Sequence, residues 1–352
     1  MCAGPPRRSG EGHGLTSPHA PDPPDTRAFA IDRQDEGQRL DVVLTRRLAG
    51  IRQATRTRVQ QWVDAGLVQI NGRRTLRPAR PLHAGDIVEI ALPWRREVTD
   101  HQPEDVPLTV LHEDAALLVV SKPAGMLIHP TGRHRTGTLF HALLWHARSW
   151  GTGARPGLVH RLDRDTSGVV VVAKSREVHA RTVLLLRSRR ARKRYLALVA
   201  GEPPPDGVLT MPLTRVSDSP PRMGVAEDGG LSCETRFAVV ARGHDTTRHL
   251  ALLACDLVTG RLHQIRAHLH AAGWPIVGDP IYGPVELPRE LPPAVLSAIA
   301  GYRRQALHAW QLTLPHPVTG DHLHVTAPVP AELQTLLDTA NLEVPAGLDS
   351  GR

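Results

Sequence analysis

The chain has 352 residues, a length that suits two domains with tails rather than one small module. Its 43 Lys and Arg residues exceed its 35 Asp and Glu residues, and the resulting net charge of +8 favours polyanionic partners, although charge alone names none. The absence of any apolar run of about eighteen residues excludes a membrane-spanning helix, and three scattered cysteines exclude a disulfide framework or a cysteine-based zinc site.

The two ends of the chain are predicted to lie outside the folded domains. Residues 1–27 are rich in Pro, Gly, Ser and Arg without periodicity, so we expect a disordered arm there. This segment has no apolar core of the kind found in secretory signals. Together with the sparse cysteines, that predicts a reducing, cytoplasmic setting. Residues 341–352 are expected to form a tail.

Residues 28–93 have the pattern of a small helical module with a hairpin. Apolar residues recur at helical spacing in RLDVVLTRRL and again in ATRTRVQQWVDAG, where Gly66 is expected to end the second helix. The segment LVQINGRR predicts a short strand and an Asn71-Gly72 turn, and GDIVEIALP predicts a closing strand. Arginines are spread along the module, and they include Arg56, Arg58 and Arg73.

Residues 94–106 are predicted to be a linker, and residues 107–340 a second domain. In the second domain many strand-like segments alternate irregularly with a few helical ones, and no strict strand–helix–strand repeat occurs. This pattern predicts an α+β fold in which helices flank a large mixed, mostly antiparallel sheet.

The most informative segment is HRLDRDTSG, which precedes the apolar run VVVVA. Loops at the ends of strands often carry catalytic groups. Asp163 lies between Arg161 and Arg164, whose charges favour an ionised carboxylate that could act as a nucleophile or general base. On these residues alone, a surface turn with ordinary salt bridges is the simpler interpretation.

Two other groups of residues suggest binding. The run RSRRARKRY, which contains Arg192 and Lys193, is either a solvated loop or a contact for RNA phosphates. His263, His268 and His270 are close in sequence, but their spacing does not place all three on one helical face. We therefore predict no metal site.

Two resemblances extend this reading of the residues. The pattern RLDVVL, TRTRVQQWVDAGLVQING and GD resembles the small RNA-binding module named after a small-subunit ribosomal protein. In the second domain HRLDRDTSG resembles the signature of the RluA/RluD-type RNA pseudouridine synthases. Four further segments match that family in order: SKPAGMLIHP, KRYLALVAG, TGRLHQIRAHLHAAGWPIVGDPIYG and LHAWQLTLPHPVTG. Leu262 stands where many members have threonine.

The resemblance implies a set of site residues. Asp163 would be the catalytic aspartate, Tyr195 the active-site tyrosine, and Arg266 the arginine paired with the aspartate. Arg161 would fill the gap left by a flipped nucleotide. The helix is expected to start near Arg261, and its apolar stripe consists of Leu262, Ile265, Leu269 and Ala272. Arg266 lies one step around from this stripe. In the pairing that the resemblance implies, its guanidinium could bind Asp163 through two hydrogen bonds. The residues expected to contact RNA are Lys122, Arg56, Arg58, Arg73, Arg192 and Lys193.

The implied activity is isomerisation of uridine to pseudouridine in structured RNA, by base flipping and without a cofactor. Large-subunit ribosomal RNA is the favoured substrate, and transfer RNA is the alternative. The residues alone leave two other functions possible. One is a glycoside hydrolase that uses Asp163 and Asp165 as its carboxylates, and the other is a non-catalytic RNA-binding protein. We expect a cytoplasmic monomer that binds RNA and no membrane.

Overall fold

The computed structural model describes residues 25–48, 54–92, 101–131, 134–151, 155–188, 190–283, 287 and 290–345. The chain divides into two compact units between Asp100 and His101. No helix in these described ranges is both long and apolar enough to cross a membrane.

The first unit packs two helices against a four-stranded antiparallel sheet. Its elements are β1 (Asp25–Ala30), α1 (Leu40–Arg47), α2 (Arg56–Asp64), β2 (Val68–Ile70), β3 (Arg73–Arg74) and β4 (Ile87–Leu92). The strand order is β1-β4-β2-β3. Both predicted helices are present, and Thr55 begins α2 by accepting a hydrogen bond from the backbone N–H of Arg58 at 3.4 Å.

Both turns predicted from Gly and Asn adopt left-handed backbone conformations. Gly66 follows α2 with φ +72°, and Asn71 and Gly72 join β2 to β3 with φ of +51° and +73°. Two predictions at the start of the unit need correction. Strand β1 was not predicted, and it begins at Asp25, so the proposed arm over residues 1–27 is too long at its C-terminal end. The rest of that arm, residues 1–24, lies outside the described residues.

The second unit is the predicted α+β domain. Its helices are α3 (Leu139–His146), α4 (Arg176–Arg187), α5 (Gln264–Ala271), α6 (Pro293–Gly301) and α7 (Ala331–Thr339). Its strands are β5 (Thr109–Glu113), β6 (Leu117–Lys122), β7 (Gly157–Leu158), β8 (Ser167–Ala173), β9 (Arg192–Ala200), β10 (Asp206–Leu209), β11 (Leu213–Asp218), β12 (Pro221–Val225), β13 (Thr235–Arg242), β14 (Leu250–Leu257), β15 (Leu307–Pro315) and β16 (His322–Thr326).

A ten-stranded sheet forms the centre of this unit. The order along its main path is β10-β13-β14-β9-β15-β8-β6-β5, and β16 and β7 pair with β15 and β8. The pairing of β15 with β8 is parallel and the other pairings are antiparallel. All seven residues of β8 are buried, as its continuous apolar run predicts for a strand covered on both faces. Strands β11 and β12 form a separate hairpin.

Gly168 allows β8 and β15 to approach each other directly after the HRLDRDT loop. Its φ is +116°, and a Cβ atom there would lie 2.1 Å from the carbonyl oxygen of Ala309. Only glycine fits at such a distance, because the clashing atoms belong to the backbone of β15. The close approach fixes the position at which the preceding loop joins the sheet.

We expect Gly168→Ala to lower the free energy of unfolding by more than about 4 kcal/mol, because it combines a backbone clash with a strained φ. Urea unfolding followed by circular dichroism measures this loss. Gly301→Ala is the matched control, since no atom would lie within 4 Å of its new Cβ. The control should change stability by no more than about 1 kcal/mol. Equal stability of the two variants would contradict this account of Gly168.

Three boundaries in the second unit differ from the predictions or lie partly outside the description. Helix α5 begins at Gln264 rather than near Arg261, because His263 adopts a left-handed conformation that cannot continue a helix. The predicted tail from residue 341 is packed at its start, where Leu342 is buried in the main core. Residue 93 at the end of the predicted first module, residues 94–100 of the predicted linker and residues 346–352 lie outside the described residues.

Candidate active site

Asp163 lies in the loop that leads into β8. The backbone N–H of Thr166 donates to the carbonyl oxygen of Asp163 at 3.2 Å and closes a turn, while the buried Leu162 anchors the loop to the core. The Asp163 side chain is 17% exposed, so its carboxylate is accessible without being fully solvated. It lines a cleft of about 830 Å³.

The guanidinium group of Arg266 is the main partner of Asp163. Its Nη1 donates to Oδ2 of Asp163 at 2.8 Å, and the arginine side chain is 4% exposed. The two residues are 103 positions apart in the chain, so α5 brings this contact to the loop before β8. The predicted proximity of Asp163 and Arg266 is therefore present in the structure.

The bidentate pair is formed with a different carboxylate. Nε and Nη2 of Arg266 donate to Oδ2 and Oδ1 of Asp279 at 2.7 and 2.8 Å, whereas Asp163 accepts from Nη1 alone. The prediction of a bidentate pair between Arg266 and Asp163 was wrong. A guanidinium has five N–H bonds, so Arg266 can bind Asp279 along one edge and still donate to Asp163.

Asp279 is the functional candidate that sequence reasoning missed. Its carboxylate is fully buried, and its Oδ1 also accepts from the backbone N–H groups of Ile281 and Tyr282 at 2.9 and 3.1 Å. Burial alone would raise the pKa of Asp279, but the hydrogen bonds from Arg266 and the backbone outweigh it and lower that pKa. A single acidic residue within the apolar segment WPIVGDPIYG was the signal that could have identified it.

Tyr195 also lines the cleft. It lies on β9, opposite Cys255 of β14 and Ala309 of β15, and it is 8% exposed. Burial, and then the negative charge of Asp163, raise the pKa of its phenol. The phenol is therefore neutral at physiological pH, and the ring offers an apolar surface next to the carboxylate.

Lys122 was predicted to contact RNA, and that prediction was wrong. The side chain is fully buried, and its Nζ donates to the backbone carbonyls of Pro123, Met126 and Arg164 at 2.7, 2.9 and 2.9 Å. Burial lowers the pKa of Lys122 to about 7. With all three N–H bonds used inside the protein, Lys122 joins the 123–126 turn to the Asp163 loop and is not available to phosphates.

The other predicted RNA contacts are partly or fully exposed. Arg161, which was predicted instead to fill the gap left by a flipped nucleotide, is exposed at the cleft. Lys193 lines the cleft and donates to the carbonyl of Leu186 at 3.3 Å, while Arg192 is paired with Asp256 at 2.8 Å. In the first unit Arg58 and Arg73 are exposed.

Arg56 in the first unit is half-exposed and held by a buried carboxylate. Its Nε donates to Asp41 at 3.2 Å, and Asp41 also accepts two hydrogen bonds from Arg39, at 3.0 and 3.1 Å. Asp41 is fully buried, and although burial would raise its pKa, hydrogen bonds from Arg39, Gln60 and Arg56 lower it. The carboxylate thus fixes two guanidinium groups whose other N–H bonds reach the surface.

The three histidines near α5 have different surroundings. His268 is buried and contacts Thr235 and the carbonyl of Met211, at 2.9 Å each, whereas His270 is exposed. His263 lies at the cleft, with Nε2 3.7 Å from Oδ2 of Asp163. Within the described part of the chain, no group of three or more His, Cys, Asp or Glu side chains is arranged to hold a metal ion.

Comparisons with known proteins identify the family. A model of the RNA pseudouridylate synthase family matches residues 116–271, and a model of the S4 domain matches residues 38–88. Ribosomal large subunit pseudouridine synthase D of Xanthomonas campestris pv. campestris is 38% identical over 303 residues, which cover 86% of this chain and 88% of the relative. The chain belongs to the RNA pseudouridylate synthase family.

Other relatives of this pseudouridine synthase agree. The protein of the same name from Nitrosomonas europaea is 37% identical over 86% of this chain and 84% of its own length. Among solved structures, human RNA pseudouridylate synthase domain containing 4 aligns with a TM-score of 0.56 at 26% identity, covering 68% of this chain and 95% of that one. The chain is therefore an isomerase that converts uridine in RNA to pseudouridine, and it carries an S4 domain before its catalytic domain.

Proposed function

We propose that Asp163 is the catalytic carboxylate and that the substrate is a uridine of large-subunit ribosomal RNA, modified in the cytoplasm by a monomeric enzyme. The observation that carries the proposal is the Asp163 carboxylate, held by Arg266 at 2.8 Å in a cleft wide enough for one nucleotide. The ribosomal substrate comes from the names of the relatives, which are called large-subunit pseudouridine synthases.

The reaction requires the target nucleotide to leave the stack. The bond between C1′ and N1 breaks, the uracil rotates, and C5 bonds to C1′ while C5 loses its proton and N1 gains one. A stacked base cannot rotate in this way, so the uridine must flip into the cleft. The exposed guanidinium of Arg161 is suited to stacking in the vacated space, and the Tyr195 ring is suited to packing against the flipped uracil.

Asp163 acts on the flipped nucleotide as an ionised carboxylate. Addition to the sugar, addition to the ring and abstraction of a ribose proton are three first steps that begin from this anion. Arg266 stabilises the negative charge and fixes the rotamer of the side chain. Each route needs the carboxylate to be held close to the ribose and base of one nucleotide.

Release of tritium tests the activity directly. RNA labelled with tritium at C5 of uridine should release it to water when incubated with the enzyme, since C5 exchanges its proton for a glycosidic bond. Ribosomal and transfer RNA are supplied separately. Release from ribosomal RNA alone supports the proposed substrate, release from transfer RNA alone favours the alternative, and binding without release would indicate a non-catalytic RNA-binding protein.

The S4 domain is proposed to supply much of the RNA affinity through exposed guanidinium groups. We expect the double variant Arg58→Gln/Arg73→Gln to weaken RNA binding by about 10-fold at moderate salt. The slope of log Kd against log salt should fall by about two, because two phosphate contacts are lost. The single-turnover rate at saturating RNA should be unchanged. Filter binding across a salt series measures the first effect.

Arg236→Gln is the matched control, because it removes one exposed positive charge from the catalytic domain, where the arginine is paired with Glu234 at 2.7 Å. It should leave the salt slope within experimental error of the parent protein. A double variant that binds RNA as tightly as the parent would contradict the proposed role of the S4 domain.

A further inference from the structure

His263 occupies a strained backbone position at the edge of the cleft. Its φ and ψ are 52° and 21°, in the left-handed region, directly before the first residue of α5. Glycine and asparagine fill such positions at lower cost, and strain of this kind is concentrated at functional sites. The position therefore raises the question of what the imidazole does there.

The imidazole is fixed at Nδ1 by the buried Tyr282. The Oη of Tyr282 accepts from the backbone N–H of Met223 at 2.8 Å and lies 3.2 Å from Nδ1 of His263. If the phenol donates its own proton to Nδ1, the amide, the hydroxyl and the ring nitrogen are all paired. The opposite tautomer, with the proton on Nδ1, would leave the buried hydroxyl proton without this acceptor.

In the tautomer that accepts from Tyr282 at Nδ1, the proton is on Nε2, and Nε2 faces the Asp163 carboxylate. Nε2 lies 3.7 Å from Oδ2 of Asp163, the same oxygen that accepts from Arg266 at 2.8 Å. Among the described residues, the other oxygen, Oδ1, accepts no hydrogen bond. Contacts of this length in a site without substrate commonly shorten when the reacting group is bound.

Several charged and titratable groups surround the ring. Asp163 and Arg161 lie in the loop before β8, Arg266 on α5 itself, and Asp279 and Tyr282 after it. On the other side of Tyr282 are His270 and Arg222. Burial is the largest influence on His263 and lowers its pKa, so the ring is neutral at physiological pH.

We propose that His263 is a positioning residue, whose imidazole Tyr282 orients so that its Nε2–H and Arg266 together hold Oδ2 of Asp163 and leave Oδ1 to react with the nucleotide. This inference rests on the proposed role of Asp163. In the left-handed conformation that His263 adopts, one ring contacts Tyr282 through Nδ1 and faces Asp163 through Nε2.

The tautomer can be measured without any activity assay. In the full-length protein labelled with ¹⁵N in its histidine rings, a two-bond ¹H–¹⁵N spectrum distinguishes a protonated from an unprotonated ring nitrogen. The His263 signals are those missing from the spectra of His263 variants. We expect a neutral ring with the proton on Nε2 at pH 7.5, and a mixture of tautomers in Tyr282→Phe. A proton on Nδ1, or a doubly protonated ring, in the wild-type protein would overturn the proposal.

Two substitutions separate orientation of Asp163 from structural support. His263→Gln keeps an N–H donor at nearly the reach of Nε2, whereas His263→Asn suits the left-handed backbone but is too short to reach Asp163. At saturating RNA we expect the single-turnover rate to fall about 10-fold to 100-fold in His263→Asn and less than about 5-fold in His263→Gln, with RNA affinity unchanged in both.

The control is His270→Gln, a histidine on the same helix whose ring also packs on Tyr282, 5.9 Å between centroids. It should keep the rate within about 2-fold. Wild-type rates in His263→Asn, or equal losses in His263→Asn and His263→Gln, would refute the role as a donor. Absence of tritium release by the wild-type enzyme would instead refute the proposed function, and the tautomer measurement would still be interpretable.

Discussion

Asp163→Asn should abolish tritium release from RNA labelled at C5 of uridine, with a loss of roughly 10³-fold or more, while RNA binding is retained. The amide is the same size as the carboxylate but carries no charge, so it can neither attack nor accept a proton as the carboxylate does. The contact with Arg266 can persist through the amide oxygen, so folding should be little changed. Rapid-quench single-turnover assays measure the rate, and gel-shift titration measures the affinity.

Asp165→Asn is the matched control for this substitution. Asp165 lies two positions away in the same loop and is half-buried, but no role in the isomerisation is proposed for it. Its variant should retain activity within a few-fold of the parent. A glycoside hydrolase that used both carboxylates would lose activity in either variant, and an Asp163→Asn enzyme that released tritium at the parental rate would remove the basis of the proposed mechanism.

Asp279→Asn should lower the free energy of unfolding by about 3–5 kcal/mol at pH 7, because it leaves the buried guanidinium of Arg266 without its bidentate counter-charge. The catalytic rate should fall as well, since Arg266 also orients Asp163. Urea unfolding gives the stability, and the tritium assay gives the rate. Asp218→Asn is the control: its exposed pair with Arg215, at 2.8 Å, should contribute less than about 1 kcal/mol.

The difference in unfolding free energy between the wild type and Asp279→Asn depends on pH in a defined direction. The pKa of Asp279 is lower in the folded protein than its ordinary value, so its stabilising charge is fully present above about pH 5 and is lost as the pH falls through the folded pKa. The stability gap between wild type and Asp279→Asn should therefore be constant from about pH 5 to 8 and shrink below about pH 4. A gap that grew on acidification would contradict a buried, charged Asp279.

Most secondary structure could be predicted from local pattern. The helices at Leu40–Arg47 and Arg56–Asp64, the turn at Asn71-Gly72 and the buried strand Ser167–Ala173 follow from apolar spacing and from glycine and asparagine at turns. Strand β1 was missed, because its sequence DTRAFA has only a weak alternating pattern and is stabilised by pairing with β4, which is distant in the chain.

Motif resemblance predicted Asp163 as the candidate catalytic residue and Arg266 as its partner, but it did not predict the other contacts that these two residues make. The predicted contact between Asp163 and Arg266 is present, whereas the bidentate pairing of Arg266 with Asp279 and the approach of His263 to Asp163 were not predicted. The prediction for Lys122 failed because its burial was not foreseen. A lysine in sequence suggests a surface charge, and only the packing of three backbone carbonyls around Nζ reveals that it is internal.

The amino-acid sequence by itself determined most of the elements, the two-domain organisation and the aspartate on which the reaction is proposed to depend, because these follow from local periodicity and from contiguous motifs. Only the tertiary structure decided that Arg266 bridges Asp163 and Asp279, that Tyr282 contacts Nδ1 of His263, and that Lys122 is buried. Each of these depends on which polar groups meet when distant segments pack, and burial makes every unpaired group costly enough to select a single arrangement.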